Sequence, residues 1–176
     1  VDILVAHDFD PELFVSYPLS DETLLLSVPI ANPINARFEE RSLNDKDFAS
    51  GRYLDRMCPT VDLRDFADED FLVLKKGNDM YTRTMQLCEN AGFQPRVRIY
   101  SDQLMTAYNM SRAGLGLTIV TDNLMRAVHG TSKCRIYKIS GENTRRKLSI
   151  GYKKKRYPSR AMEAFVQCAM EVYKAK

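Results

Sequence analysis

The chain has no tryptophan, only two histidines and four cysteines, and these scarcities limit the chemistry it can support. Cys58, Cys88, Cys134 and Cys168 form no Cys-x-x-Cys pair and match no cysteine–histidine spacing typical of zinc. A chain of 176 residues can bury a core without disulfides. We therefore expect reduced thiols, no metal and no cofactor.

The chain also lacks a large excess of charge of one sign, with 26 basic against 23 acidic side chains. This balance disfavours nucleic-acid binding by the segment itself. The basic residues 153–156 are interpreted as a solvated surface, with a phosphate or nucleic-acid patch as the alternative. No apolar run approaches the roughly 20 residues of a membrane helix, and no signal peptide is visible. We expect a cytoplasmic protein without membrane contact.

Hydrophobic periodicity predicts strands that alternate with helices. Short apolar runs predict strands at residues 2–7, 13–19, 23–29, 71–74, 97–100, 117–120 and 147–152. Apolar stripes at helical spacing predict helices at residues 78–92, 102–112, 122–128 and 159–173. Alternation through short connections predicts an α/β fold with mostly parallel sheets.

The glycine pair in "RAGLGLTIV" is the only sequence feature that resembles a phosphate-binding loop. A dinucleotide fingerprint runs from strand through glycines to helix, whereas here the order is helix, glycines, strand. Gly114 is therefore predicted to be a left-handed helix cap, and Gly116 to let the chain turn into the next strand. The sequence shows no nucleophile elbow, P-loop lysine or acid/base pair, so we predict no catalytic residues and no enzyme.

Five stretches, taken in order, resemble the effector-binding region of LysR-type transcriptional regulators: "VDILVAH", "LLLSVPIANPI", "ENAGFQPRV", "SDQLMTAYNMSRAGLGLTIV" and "RRKLSIGYKKKRYPSRAMEAFV". The resemblance implies a two-lobed α/β architecture like that of type 2 periplasmic binding proteins, with hinge crossovers. Residues 1–30 and 148–176 would form lobe I and residues 31–147 lobe II. The first strand and helix of lobe I are expected to be absent from this chain, and residues 36–60 are longer than usual.

The resemblance also implies a function. A small-molecule effector would bind in the cleft between the lobes and control DNA binding or transcription by the full-length protein. That protein would act as a homodimer or tetramer and contact promoter DNA only through an N-terminal helix-turn-helix, which is absent here. A solute-binding protein of a transport system and an enzyme on a related fold are the alternatives.

Polar residues at predicted strand ends and helix starts form the candidate effector site. The carboxyl ends of parallel strands face the crevice where α/β proteins bind ligands, and helix starts offer free amide groups. These positions predict a polar metabolite with a carboxylate and a donor group, such as an amino or hydroxy acid. In the alternative interpretation Asn78 and Asp79 only cap a helix and His7 packs against the sheet. The candidate residues are His7, Asp8, Gly77, Asn78, Asp79, Ser101 and Asp102.

Overall fold

A computed structural model describes residues 2–128, 132–155 and 157–174 of the chain. The strands are β1 (Leu4–Ala6), β2 (Phe14–Pro29), β3 (Ser42–Leu43), β4 (Thr60–Val61), β5 (Asp70–Leu74), β6 (Arg96–Ser101), β7 (Thr118–Thr121), β8 (Cys134–Ile139) and β9 (Arg145–Lys153). The α-helices are α1 (Asp45–Ser50), α2 (Asp79–Asn90), α3 (Leu104–Arg112), α4 (Asp122–Val128) and α5 (Arg160–Lys174). Short 3₁₀ helices cover Pro33–Arg37, Glu39–Arg41, Arg52–Leu54 and Leu63–Phe66.

The chain divides into two compact units. Unit 1 contains residues 1–22 and 145–176, and unit 2 contains residues 23–144. The two boundaries therefore lie earlier in the chain than the expected lobe boundaries after residues 30 and 147. The assignment of the units to lobes of a ligand-binding protein stays a prediction.

Unit 1 contains β1, β9, the first part of β2 and the helix α5. Strand β1 pairs antiparallel with β9, with Val5 opposite Ile150, and β9 lies between β1 and β2. This antiparallel pairing differs from the expectation of mostly parallel sheets. Strand β1 is the end strand of the described sheet, and Val5 is 55% exposed.

Strand β2 is continuous over its 16 residues, whereas the sequence predicted two separate strands at residues 13–19 and 23–29. The polar triplet Ser20-Asp21-Glu22 is extended. Glu22 is buried, and its carboxylate accepts a hydrogen bond from Arg146 of β9 at 2.8 Å. A buried carboxylate with a cationic partner is tolerated inside a strand, so no turn forms there.

The sheet of unit 2 is built around β8, for which the sequence analysis predicted no element. Strand β8 pairs antiparallel with the second part of β2 and with β3, and parallel with β4, while β7 pairs antiparallel with β2. The expectation of mostly parallel sheets was therefore wrong for this sheet. Successive leucines of β2 alternate between two core clusters, with Leu24 and Leu26 in one and Leu25 in the other.

A second, parallel sheet pairs β5 with β6, and the helices α2 and α3 follow these two strands. Helix α3 ends in the predicted left-handed glycine: Gly114 has φ +86°. Its amide donates to Ser111 O, and the amide of Leu115 donates to Met110 O. Gly116 adopts φ +155° before the next strand, and it has a further role because a Cβ there would lie 2.7 Å from Asp70 O on β5. This glycine allows two backbone segments to approach closely.

Candidate functional site

Five of the seven predicted site residues lie at one edge of the β5–β6 sheet in unit 2. The two strands are parallel, and their register pairs Leu74 with Ser101. The amide of Lys75 donates to Ser101 O at 2.9 Å, which continues the pairing to the strand ends. The turn Gly77–Asp79 after β5 and the pair Ser101–Asp102 at the end of β6 therefore follow neighbouring strand ends.

The start of α2 is capped by Asn78, as the alternative interpretation of this residue expected. The Asn78 side-chain oxygen accepts from the amide of Met80 at 2.9 Å. Gly77 adopts φ +98° in the turn that leads into this cap. Asp79 is the first helical residue, and its two carboxylate oxygens accept from Arg83 Nε at 3.0 and 2.9 Å. The Arg83 side chain is 15% exposed, so Asp79 is held by a largely buried cation one turn along the helix.

Helix α3 begins at Leu104, after the predicted helix start at residue 102. The N-cap residue is Gln103, and its side chain makes no capping hydrogen bond. Ser101 is buried, and its hydroxyl bonds the backbone of Gln103 instead. Asp102 is paired with the ammonium of Lys75 at 2.8 Å. The first amides of α3 therefore receive no capping hydrogen bond from the side chain of their N-cap residue.

The charges at this edge of unit 2 are balanced in pairs. Lys75 and Asp102 have side chains that are 59% and 75% exposed, so water screens their attraction and the pair costs little to rearrange. Sequence reasoning missed Lys75 and Arg83, because neither stands in a recognisable motif. The edge therefore has uncapped amides, an exposed ammonium and two carboxylates that already have partners.

The remaining predicted residues, His7 and Asp8, lie in unit 1 directly after β1. Asp8 is exposed. The His7 ring is 17% exposed; Nδ1 lies 3.2 Å from Lys147 O, and Nε2 lies 3.5 Å from the Glu22 carboxylate. Arg146 bonds the same carboxylate oxygen through Nε and Nη2 at 2.8 and 2.7 Å. His7 thus belongs to a charged cluster whose other members the sequence analysis did not select.

Unit 2 also contains a surface cavity of about 520 Å³ between the C-terminal end of α2 and the segment after β8. Leu63, Leu87 and Ala91 contribute apolar surface, and Arg64, Asn90 and Glu142 contribute polar groups. None of the seven predicted site residues contributes to it. This cavity is therefore a separate feature from the five predicted site residues of unit 2.

All four cysteines are free thiols, three of them buried and Cys168 exposed. Burial raises the pKa of the Cys88 thiol to about 12, and burial also raises the pKa of Cys134. A thiol that stays protonated at neutral pH is a poor nucleophile and a poor metal ligand. The buried cysteines therefore contribute to packing and are unsuited to covalent chemistry.

Among the described residues, no helix has the length and hydrophobicity that crossing a bilayer requires. The fold, with helices that follow parallel strands and polar groups at the strand ends, is that of a ligand-binding α/β domain. The sequence model of the LysR substrate binding domain matches residues 3–174, and the chain belongs to this family.

Comparison with known proteins agrees with this assignment. The chain is 31% identical over 110 residues to the uncharacterised HTH-type transcriptional regulator YybE of Bacillus subtilis (strain 168), an alignment that covers 61% of this chain and 36% of that protein. The chain thus spans about a third of the length of this curated relative.

Solved structures of regulator domains share the fold. The regulatory domain of CcmR from Synechocystis PCC6803, in complex with 2-PG, superposes with a TM-score of 0.76 at 15% identity, covering 98% of this chain and 74% of that one. The effector binding domain of QuiR, in complex with shikimate, superposes with a TM-score of 0.74 at 17% identity. The alignment covers 99% of this chain and 72% of that one. At these identities the likeness concerns the fold, and it confirms the predicted α/β architecture of the type 2 periplasmic-binding-protein kind.

Proposed function

We propose that the chain is the ligand-sensing part of a LysR-type transcription regulator and binds a small polar metabolite. The observation that carries this proposal is the parallel pairing of β5 with β6, within a family of substrate-binding domains. That pairing sets the turn Gly77–Asp79 beside Ser101 and Asp102. Helix starts and polar side chains at the ends of parallel strands are the usual means by which α/β domains bind polar ligands.

The charges at this edge favour a ligand with both a carboxylate and a donor group. The N-cap residue of α3 makes no side-chain cap, so the amides at this helix start can donate hydrogen bonds to a carboxylate. Asp102 can turn from the exposed Lys75 to an amino or hydroxyl group on the ligand. Asp79 repels an anion less than a free carboxylate would, because Arg83 neutralises it. An amino or hydroxy acid satisfies both kinds of group.

A thermal-shift screen of amino, hydroxy and simple carboxylic acids on the purified domain would identify the ligand class. Affinity for the best compound would then be measured by calorimetry in the variants His7→Ala and Asp79→Ala. We expect a loss of roughly tenfold, about 1.4 kcal/mol, where the side chain lies in the site.

The matched controls are Asp68→Ala, which removes an exposed carboxylate of unit 2, and His129→Ala, which removes the other histidine. Both controls should retain the affinity of the unmodified domain. Unchanged affinity in both His7→Ala and Asp79→Ala would place the ligand elsewhere in the protein. A loss confined to Asp79→Ala would keep the unit 2 edge in the site and remove His7 from it.

Ligand binding is proposed to control DNA binding or transcription by a larger cytoplasmic protein. That protein would bind promoter DNA through a helix-turn-helix preceding this domain and would assemble as a homodimer or tetramer, without membrane contact, metal, cofactor or enzymatic activity. The alternative, a solute-binding protein for transport, predicts a signal peptide in the upstream reading frame. A helix-turn-helix there and ligand-dependent promoter binding would support the regulator.

Helix α3 is the proposed contributor to assembly. Met105 on this helix is 41% exposed, and burial of such a side chain against a second copy would remove apolar surface from water. Sedimentation of the full-length protein should show a smaller species for Met105→Glu than for the unmodified protein. Identical oligomers for both would exclude α3 from the interface.

A further inference from the structure

A buried charged cluster in unit 1 lies at both places where the chain passes between the units. Glu22 is the last residue of unit 1 in β2, and Arg146 is the second residue after the chain returns to unit 1 in β9. Their side chains are 9% and 7% exposed. The cluster therefore ties together the two segments that join the units, from within unit 1.

The ion pair uses one carboxylate oxygen for several donors. Glu22 Oε2 accepts from Arg146 Nε at 2.8 Å and lies 2.7 Å from Arg146 Nη2. The same oxygen lies 3.5 Å from His7 Nε2. A buried carboxylate is stable only when its neighbours supply positive charge and hydrogen bonds. Both the arginine and the histidine are placed to do so.

The surroundings of the His7 ring determine which protonation state fits. Nδ1 faces the carbonyl oxygen of Lys147 at 3.2 Å, and Nε2 faces the carboxylate of Glu22. A carbonyl and a carboxylate can only accept hydrogen bonds. Either neutral tautomer would direct one nitrogen lone pair at an acceptor oxygen. Only the imidazolium, with a proton on each nitrogen, donates toward both.

The neighbouring charges act in opposite directions on the imidazolium. Glu22 of β2 favours the charged ring, and Arg146 of β9 opposes it. The guanidinium is already engaged by the carboxylate at hydrogen-bonding distance, so much of its charge is offset at the ring. Asp8, beside His7 in the chain, and Lys147 of β9 have exposed side chains, and solvent screens their charges.

We propose that His7 makes this cluster proton-sensitive. As an imidazolium it holds the Glu22 carboxylate against β9, and loss of its proton near neutral pH weakens the cluster at the two segments that join the units. This device does not depend on any ligand. It would give the domain a response to pH in the range where an unperturbed histidine titrates.

The histidine titration can be followed directly by NMR, because the chain contains only two histidines. His129 lies outside the described residues. In the variant His129→Gln the only histidine signal in the NMR spectrum is that of His7. We expect the His7 midpoint to lie about one pH unit above the ordinary value of about 6.5, with both ring nitrogens protonated below it. In Glu22→Gln the midpoint should fall by a similar amount. A midpoint at or below 6.5, or one that Glu22→Gln leaves unchanged, would overturn the proposal.

A second measurement keeps the proposal testable if Glu22→Gln does not fold. A histidine that binds its proton more tightly in the folded state adds stability that is complete below the unfolded midpoint and is lost as pH rises through the folded midpoint. Stability to urea should therefore fall between about pH 6 and pH 8, by up to about tenfold in the unfolding constant for a one-unit shift. His7→Gln should remove this fall and His129→Gln should keep it. Equal pH dependence in the unmodified protein and in His7→Gln would overturn the proposal.

Discussion

A buried asparagine, Asn35, joins the end of β2 to the centre of the unit 2 sheet, and its removal gives the sharpest test of the described packing. The side-chain amide donates to Pro29 O at 2.8 Å and to Ile30 O at 3.2 Å. Its oxygen accepts from the hydroxyl of Tyr137 at 2.8 Å. Tyr137, in β8, is fully buried, and burial raises the pKa of its hydroxyl to about 12.

The cost of Asn35→Ala can be worked out from these contacts. The change removes three hydrogen bonds and leaves the buried Tyr137 hydroxyl without its acceptor, whereas the Pro29 carbonyl keeps the hydrogen bond from the Asn32 amide at 3.0 Å. The orphaned hydroxyl costs about 1–3 kcal/mol, and each of the other two lost hydrogen bonds costs about 0.5–1.5 kcal/mol. A cavity of about 250 Å³ borders Ile30 and Asn35, so water can replace part of the loss. We expect Asn35→Ala to lower the free energy of unfolding by about 2–4 kcal/mol.

A double-mutant cycle in urea separates this mechanism from general disruption. Tyr137→Phe removes only the hydroxyl and should cost about 1–2 kcal/mol. The double variant should lose about 1 kcal/mol less unfolding free energy than the sum of the losses in the two single variants. The reason is that the hydrogen bond between Tyr137 and Asn35 is lost only once. Asn90→Ala, at an exposed position at the end of α2, is the control and should change stability by less than about 0.5 kcal/mol. Strict additivity, or an Asn35→Ala variant as stable as the control, would refute the reasoning.

Three further predictions concern a close backbone approach, a helix cap and the thiols. Gly116→Ala should destabilise by about 1–3 kcal/mol more than Gly141→Ala, because its Cβ would meet a carbonyl of β5 at 2.7 Å whereas the space at Gly141 is open; equal losses in urea would contradict this. Asn44→Ala should cost about 1 kcal/mol, since Asn44 caps α1 in a capping box, and an unchanged midpoint would count against the cap. At pH 8 a thiol reagent should label Cys168 quickly and the buried thiols only after unfolding; fast labelling of Cys88, whose pKa is raised to about 12, would show that the core opens.

Elements defined by local signals were predictable from the sequence. Helix α2 is an example, because an asparagine cap, an apolar stripe and a terminal glycine all lie within residues 78–92. The structure confirms the cap at Asn78 and a left-handed Gly92 with φ +83°. The amides of Gly92 and Phe93 close the helix end on the carbonyls of Glu89 and Cys88. Each of these interactions spans only a few residues, so the local sequence contains both partners.

Elements that depend on distant partners were not predictable. Strand β8 is stabilised by β2, β3 and β4, which are remote from it in sequence. Its burial pattern is irregular, with Ile136 and Tyr137 both buried in succession. Neither the period of two of a half-buried strand nor the period of a helix fits such a pattern. The sheet pairing, rather than the residue pattern of the strand itself, determines this element.

In the candidate site, too, features set by neighbouring residues were predictable from the sequence, and features set by distant partners were not. The polar turn at residues 77–79 could be located because strand end and helix start are adjacent in sequence. Its electrostatic character could not, since Asp102 is neutralised by Lys75, which lies 27 residues away. The contrast is larger in unit 1, where Ser20-Asp21-Glu22 has the composition of a turn. Arg146, 124 residues later, pairs with Glu22 inside the sheet, so a polar triplet becomes the middle of a strand and His7 acquires the carboxylate that we propose makes it sensitive to pH.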